Sequence, residues 1–213
     1  MFDVHTHHLP ENSQEALLSC CMKDKESLAF HNARYLSAGI HPWYVTEEDM
    51  NRQLEWLDNL LTADSRLLAV GEAGLDKLCS TAYTLQLTAF REVINRSERY
   101  EQPLFIHCVK ASNDIIALKK EYAPRQPWII HGFRGKKELA VMFLKQGFYL
   151  SFGRHFQPEA LIVTPTERLL LETDDCGLSV EEVYKQVAQA RQTTLNLLSE
   201  SIDENINRLF FSR

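Results

Sequence analysis

The sequence contains no Cys-x-x-Cys pair, no hydrophobic run approaching 18 residues, no low-complexity tract and no internal repeat. Each lack removes a class of protein. Cys20, Cys21, Cys79, Cys108 and Cys176 are odd in number and unpaired in spacing, so they read as reduced thiols and not as a disulfide frame or zinc knuckle. That usage points to a cytoplasmic setting. The apolar runs fall short of the roughly 20 residues a membrane helix needs. The opening MFDVHTHHLPENS lacks the basic-then-apolar order of a secretory signal. Positive charge is also scarce: Lys and Arg number 23 against 29 Asp and Glu, a formal net charge of -6. A molecule of that sign does not coat nucleic acid by charge alone, although a local basic rim is compatible with it.

What the sequence does hold is a core and a rhythm. Of its 213 residues, 45% are hydrophobic, enough for one compact domain over residues 1–213. Short apolar runs alternate with amphipathic stretches: Phe2–His7, Ala16–Cys21, Tyr35–Trp43, Arg66–Asp76, Pro103–Cys108, Trp128–Phe133, Phe148–Gly153 and Arg168–Asp175. The runs are nearly continuous, as in parallel strands covered on both faces. Helices are expected between them. Thr46 and Asp49 form a capping pattern, as do Ser179 and Glu182, and Gly147 suits a helix C-terminus. Lys23–Asn32 carries no clear type. Eight strands with intervening helices predict a compact (β/α)8 TIM-type barrel, though the chain is short beside the typical length of about 250 residues. A doubly wound open sheet is the alternative.

The chemistry-bearing residues gather at the ends of these runs. His5 and His7 share one strand face, because side chains alternate with period two. His41, Glu72, His107, His131 and Asp174 close later runs. In a parallel barrel all those ends open on one face, where active sites lie. His5, His7, Glu72, His107, His131 and Asp174 form a nitrogen and oxygen set without thiolate, suited to Zn, Mn or Mg. Six ligands exceed the needs of one open catalytic zinc. They suit two divalent ions about 3.5–4 Å apart with a bridging carboxylate.

At these residues the sequence resembles the TatD-like deoxyribonucleases, metal-dependent hydrolases of the amidohydrolase superfamily. The resemblance runs in order through FDVHTHHL, AGIHPW, VGEAGLD, QLTAFREVINRSERYEQPLFIHC, IIHGFRG, YLSFG, LLLETDD and DENINRLF. It implies a barrel fold and hydrolysis of phosphodiester bonds in DNA ends or short single strands. It also implies that His5 and His7 bind one metal, His107 and His131 a second, and that Glu72 bridges them. Asp174 would complete the first site and take the proton from the attacking water, making Glu72 and Asp174 the catalytic carboxylates.

Two positions depart from the family. Where it usually has arginine after the fifth strand, Val109 stands here, followed by Lys110, which offers a point charge and not a bidentate fork. After the last strand, Asp175–Ser179 leads almost directly into a helix, where the family has a proline-rich loop. Lys110, Arg134 and Arg154 are the expected substrate contacts, with Lys137, Lys136 and His155 nearby on the rim. His41 either hydrogen-bonds a substrate phosphate or holds the Pro42 turn. Asp76 is expected to order its loop. Trp43 and Phe133 either stack on a base or pack over the barrel mouth. A small-molecule hydrolase of the same superfamily, acting on a phosphoester, lactone or amide, is the competing reading. Many such relatives bridge their metals through a carboxylated lysine; the matching strand end here offers Glu72 and no lysine at Cys108, which favours the nuclease reading. Neither a membrane nor an obligate protein partner is expected.

Overall fold

A computed structural model describes residues 1–10, 12 and 15–212 of the chain. Part of the turn expected after His7, at Glu11 and Ser13, lies outside the described residues. Eight strands run β1 (Asp3–Thr6), β2 (Ala16–Cys20), β3 (Tyr35–Ala38), β4 (Leu67–Asp76), β5 (Leu104–Val109), β6 (Trp128–Ile130), β7 (Tyr149–Phe152) and β8 (Leu169–Leu171). Each pairs with the next in parallel, in sequence order. The sheet closes where Thr6 bridges to Asp174, just past β8. There the Asp174 amide donates to the His5 carbonyl at 2.9 Å and the His7 amide to the Asp174 carbonyl at 3.0 Å. The predicted barrel is therefore the fold, and the open sheet is excluded.

Helices alternate with strands: α1 (Leu28–Asn32), α2 (Met50–Ala63), α3 (Tyr83–Arg99), α4 (Ser112–Tyr122), α5 (Lys137–Lys145), α6 (Pro158–Val163), α7 (Val180–Ala190) and α8 (Leu195–Ile206). The untyped segment is a 3-10 turn at Met22–Asp24 followed by the five-residue α1, capped by Ser27. This shortening is one way the chain makes a barrel with fewer residues. The capping box at Ser179 and Glu182 forms as expected. Thr46 does receive the Asp49 amide at 3.1 Å, but it caps a turn, and α2 begins at Met50. No helix among the described residues is long and apolar enough to cross a membrane.

Two features of the barrel position the mouth. The first is a bulge in β4. Val70 pairs with Leu104 and Ala73 with Ile106, so β4 spends one residue more than β5 over that step. Gly71 occupies the bulge at φ +121°, and a Cβ there would lie 2.5 Å from the Phe105 carbonyl oxygen. Only glycine fits that backbone and that approach. The bulge turns Glu72 into the cluster of strand-end imidazoles although β4 continues four residues further, to Asp76. The strand has the extent expected of the Arg66–Asp76 run, and Glu72 lies within it and not at its close.

The second feature is a plug. The C-terminal turn Asn207–Phe211 brings Phe211 against Phe2 and Tyr35, at the starts of β1 and β3, on the opposite end from the strand-end histidines. Phe210 stacks on Phe105, with centroids 5.9 Å apart and planes within 9°. Phe105 in turn lies 5.5 Å from the His5 ring. The tail thus supports the floor beneath a candidate ligand. Phe105 is wholly buried, so Phe105→Ala should cost about 3–5 kcal/mol. A shift in the urea midpoint would measure this, and a midpoint equal to wild type would show that the plug carries no packing energy.

Candidate metal centre

Glu72 is the hub. Its carboxylate is almost wholly buried, and each oxygen faces its own set of imidazoles. Oε2 lies 3.5 Å from His5 Nε2 and 3.4 Å from His7 Nε2. Oε1 lies 2.7 Å from His107 Nδ1, 2.7 Å from His131 Nε2 and 3.0 Å from His41 Nε2. Asp174 Oδ1 stands 3.6 Å from His7 Nε2, and donor atoms of His5, His7 and Asp174 lie within 4.8 Å of one another. The structure thus brings together all six residues expected to hold metal.

Electrostatics follow from that crowding. Burial pushes the Glu72 carboxyl up, but the charge on His131 and the bonds from His107, His131 and His41 outweigh it, holding Glu72 well below its ordinary value. His131 answers in kind. Burial disfavours its cation, yet Glu72 and Glu172 raise its pKa well above the usual histidine value. Burial raises Asp174, with Glu172 adding to the effect.

His41 differs from the others. Its Nδ1 accepts the Trp43 backbone N–H at 3.1 Å, so in the neutral ring the proton sits on Nε2, which faces Glu72. Burial lowers its pKa and keeps it neutral. His41 therefore presents an N–H, and not a lone pair, to the centre. It holds the turn at Pro42 through the Trp43 amide and directs its own N–H at Glu72.

Two further carboxylates orient the cluster. Glu172, wholly buried, accepts the Gly132 amide at 2.5 Å and a hydrogen bond from the Ser151 hydroxyl, and stands 3.5 Å from His131 Nδ1. Asp76 takes the Leu78 amide on Oδ1, ordering its loop as expected. Its Oδ2 accepts the Trp43 indole N–H at 2.6 Å and lies 3.3 Å from His107 Nε2. Carboxylates behind ligating histidines fix tautomer and ring orientation. Glu172 was missing from the sequence reading. The period-two rule that pairs His5 with His7 also pairs Glu172 with Asp174, and would have found it. Glu172→Gln should weaken metal binding about 10–100-fold, read by competition with a chromophoric chelator. Unchanged affinity would assign Glu172 to the scaffold alone.

The rim residues divide. Lys110 and Arg134 line a cleft of about 590 Å³ beside the cluster, and Arg134 Nη2 lies 3.7 Å from Asp174 Oδ2. Arg154 is exposed and outside that lining, which its neighbour His155 joins. Phe133 is buried and packs edge-on against Phe143 and Phe152, so its ring belongs to the wall.

The donor set fits divalent ions. It is rich in imidazole and carboxylate and lacks thiolate. His5 also carries an unsatisfied demand: both its ring nitrogens are buried without a hydrogen-bond partner among the described residues. Such burial is costly unless something else pairs with them, and a cation would.

A parallel barrel with this donor set at its C-terminal mouth defines a metal-dependent hydrolase. The family model described as TatD related DNase matches residues 10–211. An "uncharacterized metal-dependent hydrolase YabD" of Bacillus subtilis is 31% identical, over 83% of this chain and 77% of that protein. A "deoxyribonuclease Tat-D" of Schizosaccharomyces pombe is 30% identical over 77% of this chain and 55% of its own length. A "3'-5' ssDNA/RNA exonuclease TatD" of Pantoea ananatis is 27% identical over 82% and 76%. The crystal structure of the TatD homologue YJJV from Escherichia coli superposes with a TM-score of 0.80 at 20% identity, over 98% of this chain and 96% of that one. The chain belongs to the TatD related DNase family.

Proposed function

We propose that this chain is a two-metal phosphodiesterase that hydrolyses the ends of single-stranded DNA. The observation that carries this reading is the division of imidazoles between the two oxygens of Glu72. His5 and His7 lie on one side, and His107 and His131 on the other. A bridging carboxylate needs that division. Two divalent ions (Mg, Mn or Zn), when bound, supply charge that polarises the phosphoryl oxygen and makes a water acidic.

The chain's own groups would do the rest. His5, His7 and Asp174 would hold one ion, His107 and His131 the other. Asp174 would accept the proton of the attacking water, because a carboxylate beside two cations stays ionised and lies within reach of that water. The N–H of His41 and the cations of Lys110 and Arg134 would steady the phosphate, with Arg154 and His155 extending the positive collar along a longer strand. The exonuclease name carried by the Pantoea relative, and the deoxyribonuclease name of the yeast one, support a nucleic-acid substrate.

Purified protein reconstituted with Mg or Mn should hold two ions per chain and release mononucleotides from single-stranded DNA. His107→Ala should abolish the release while the fold persists by circular dichroism. A fully metallated protein inert on DNA and RNA, but active in a screen of phosphoesters, lactones and amides, would transfer the assignment to a small-molecule hydrolase.

A further inference from the structure

Trp43 is 53% exposed, yet it is not loose. Its indole N–H is fixed by the buried Asp76 carboxylate at 2.6 Å, so the surface it leaves to solvent is the apolar ring. The same Asp76 oxygen lies 3.3 Å from His107 Nε2. One carboxylate therefore sets both a candidate metal ligand and an exposed aromatic. Three rings neighbour Trp43: His41 at 4.9 Å, His107 at 5.7 Å and Tyr44 at 6.4 Å between centroids. Their planes stand at 77–80° to it, so none of the three stacks flat on the indole.

Its placement is as telling as its exposure. The cleft of about 590 Å³ and a second of about 460 Å³ both take Trp43, His107, His131 and Asp174 into their walls. Trp43 thus stands where the two arms meet, one ring away from the cluster. The Trp43 ring lies 5.7 Å from that of His107, so a nucleotide whose phosphate is held at the cluster would have its nucleoside within reach of the indole. Lys110, in the larger cleft, adds a cation on the phosphate side.

We propose that Trp43 is a nucleobase platform, pinned by Asp76, on which the base of the nucleotide at the scissile phosphate stacks. This rests on the nuclease reading and specifies its substrate: the chain prefers a base-bearing terminus to an abasic one. Base–aromatic stacking is tolerant of sequence, so any of the four bases is accepted. Stacking of this kind is worth roughly 10- to 100-fold in binding.

Two measurements test it. In the first, Mg-loaded protein is titrated with dAMP or 2-deoxyribose 5-phosphate while tryptophan fluorescence is read, Trp56 and Trp128 serving as internal reference. The proposal expects quenching by dAMP only, lost in Trp43→Phe. In the second, the metallated protein is given single strands ending in a nucleotide or in an abasic analogue. Wild type should favour the base-bearing end by kcat/KM roughly tenfold or more. Trp43→Ala should erase that preference through KM, and Trp43→Phe should keep most of it. Equal preference in wild type and Trp43→Ala, with both active, overturns the platform and leaves the nuclease assignment standing. If wild type cleaves no DNA, the nuclease assignment falls, and absence of dAMP-specific quenching then overturns the platform separately.

Discussion

Glu72→Gln is expected to remove most metal and nearly all activity. The carboxylate faces five imidazoles, and its two oxygens serve opposite sets of ligands. An amide keeps the shape but loses the charge, and one of its two ends becomes a donor aimed at imidazole nitrogens. Whichever way the amide turns, one of the two sites faces an N–H. Elemental analysis should find fewer than one ion per chain where wild type holds two. Phosphodiesterase activity should fall at least about a thousandfold, the scale lost when a central electrostatic group is removed from a dry site. The fold should persist by circular dichroism, because the barrel rests on its closed strand order and apolar core, which the amide leaves in place. A Glu72→Gln protein that kept two ions and activity within tenfold of wild type would overturn the bridging role.

The barrel was legible because its strands are buried on both faces and so appear as unbroken apolar runs, each stopped by glycine, proline or a polar group. The ligands were legible because the parallel order sends every strand end to one rim. Glu72 shows where that logic is incomplete. Glycines on both sides suggested an ending, but Gly71 marks a bulge inside a strand that continues to Asp76. A glycine in sequence gives conformational freedom without saying whether the chain turns away or turns a side chain inward. Glu172 was hidden for another reason. It precedes Thr173 and Asp174 and looked like part of a strand end whose last acid would act, whereas its neighbours in space, Ser151 and Gly132, come from β7 and the loop after β6. His41 was ambiguous because its two nitrogens do different work. Only three-dimensional structure assigns Nδ1 to the Trp43 amide and leaves Nε2 for the mouth.

The second large effect concerns protons. In the metal-free chain His131 is raised well above its ordinary pKa, burial being outweighed by Glu72 and Glu172, and His7 is raised too, burial again being outweighed by Glu72. The sign is fixed by this direction. A histidine whose folded pKa is raised stabilises the apo fold below its unfolded value, and that contribution disappears as pH climbs through the folded value. Glu72, depressed, contributes above the unfolded carboxylate value and loses its contribution as pH falls through its lowered one. Apo protein is thus held at neutral pH by the same protons that metal must displace. Metal binding should therefore release protons at neutral pH, up to two per chain from His131 and His7. The apparent affinity should climb with pH, by about tenfold per unit for each proton displaced. In weakly buffered solution, adding Mn should lower the pH in proportion to sites filled, and isothermal titrations in buffers of different ionisation enthalpy should return the same count. Activity at fixed metal should fall as the pH is lowered, because protons compete with the ions for these imidazoles. If no proton appeared on metal addition and activity held constant down to about pH 4.5, the histidines around Glu72 would not be the ligands.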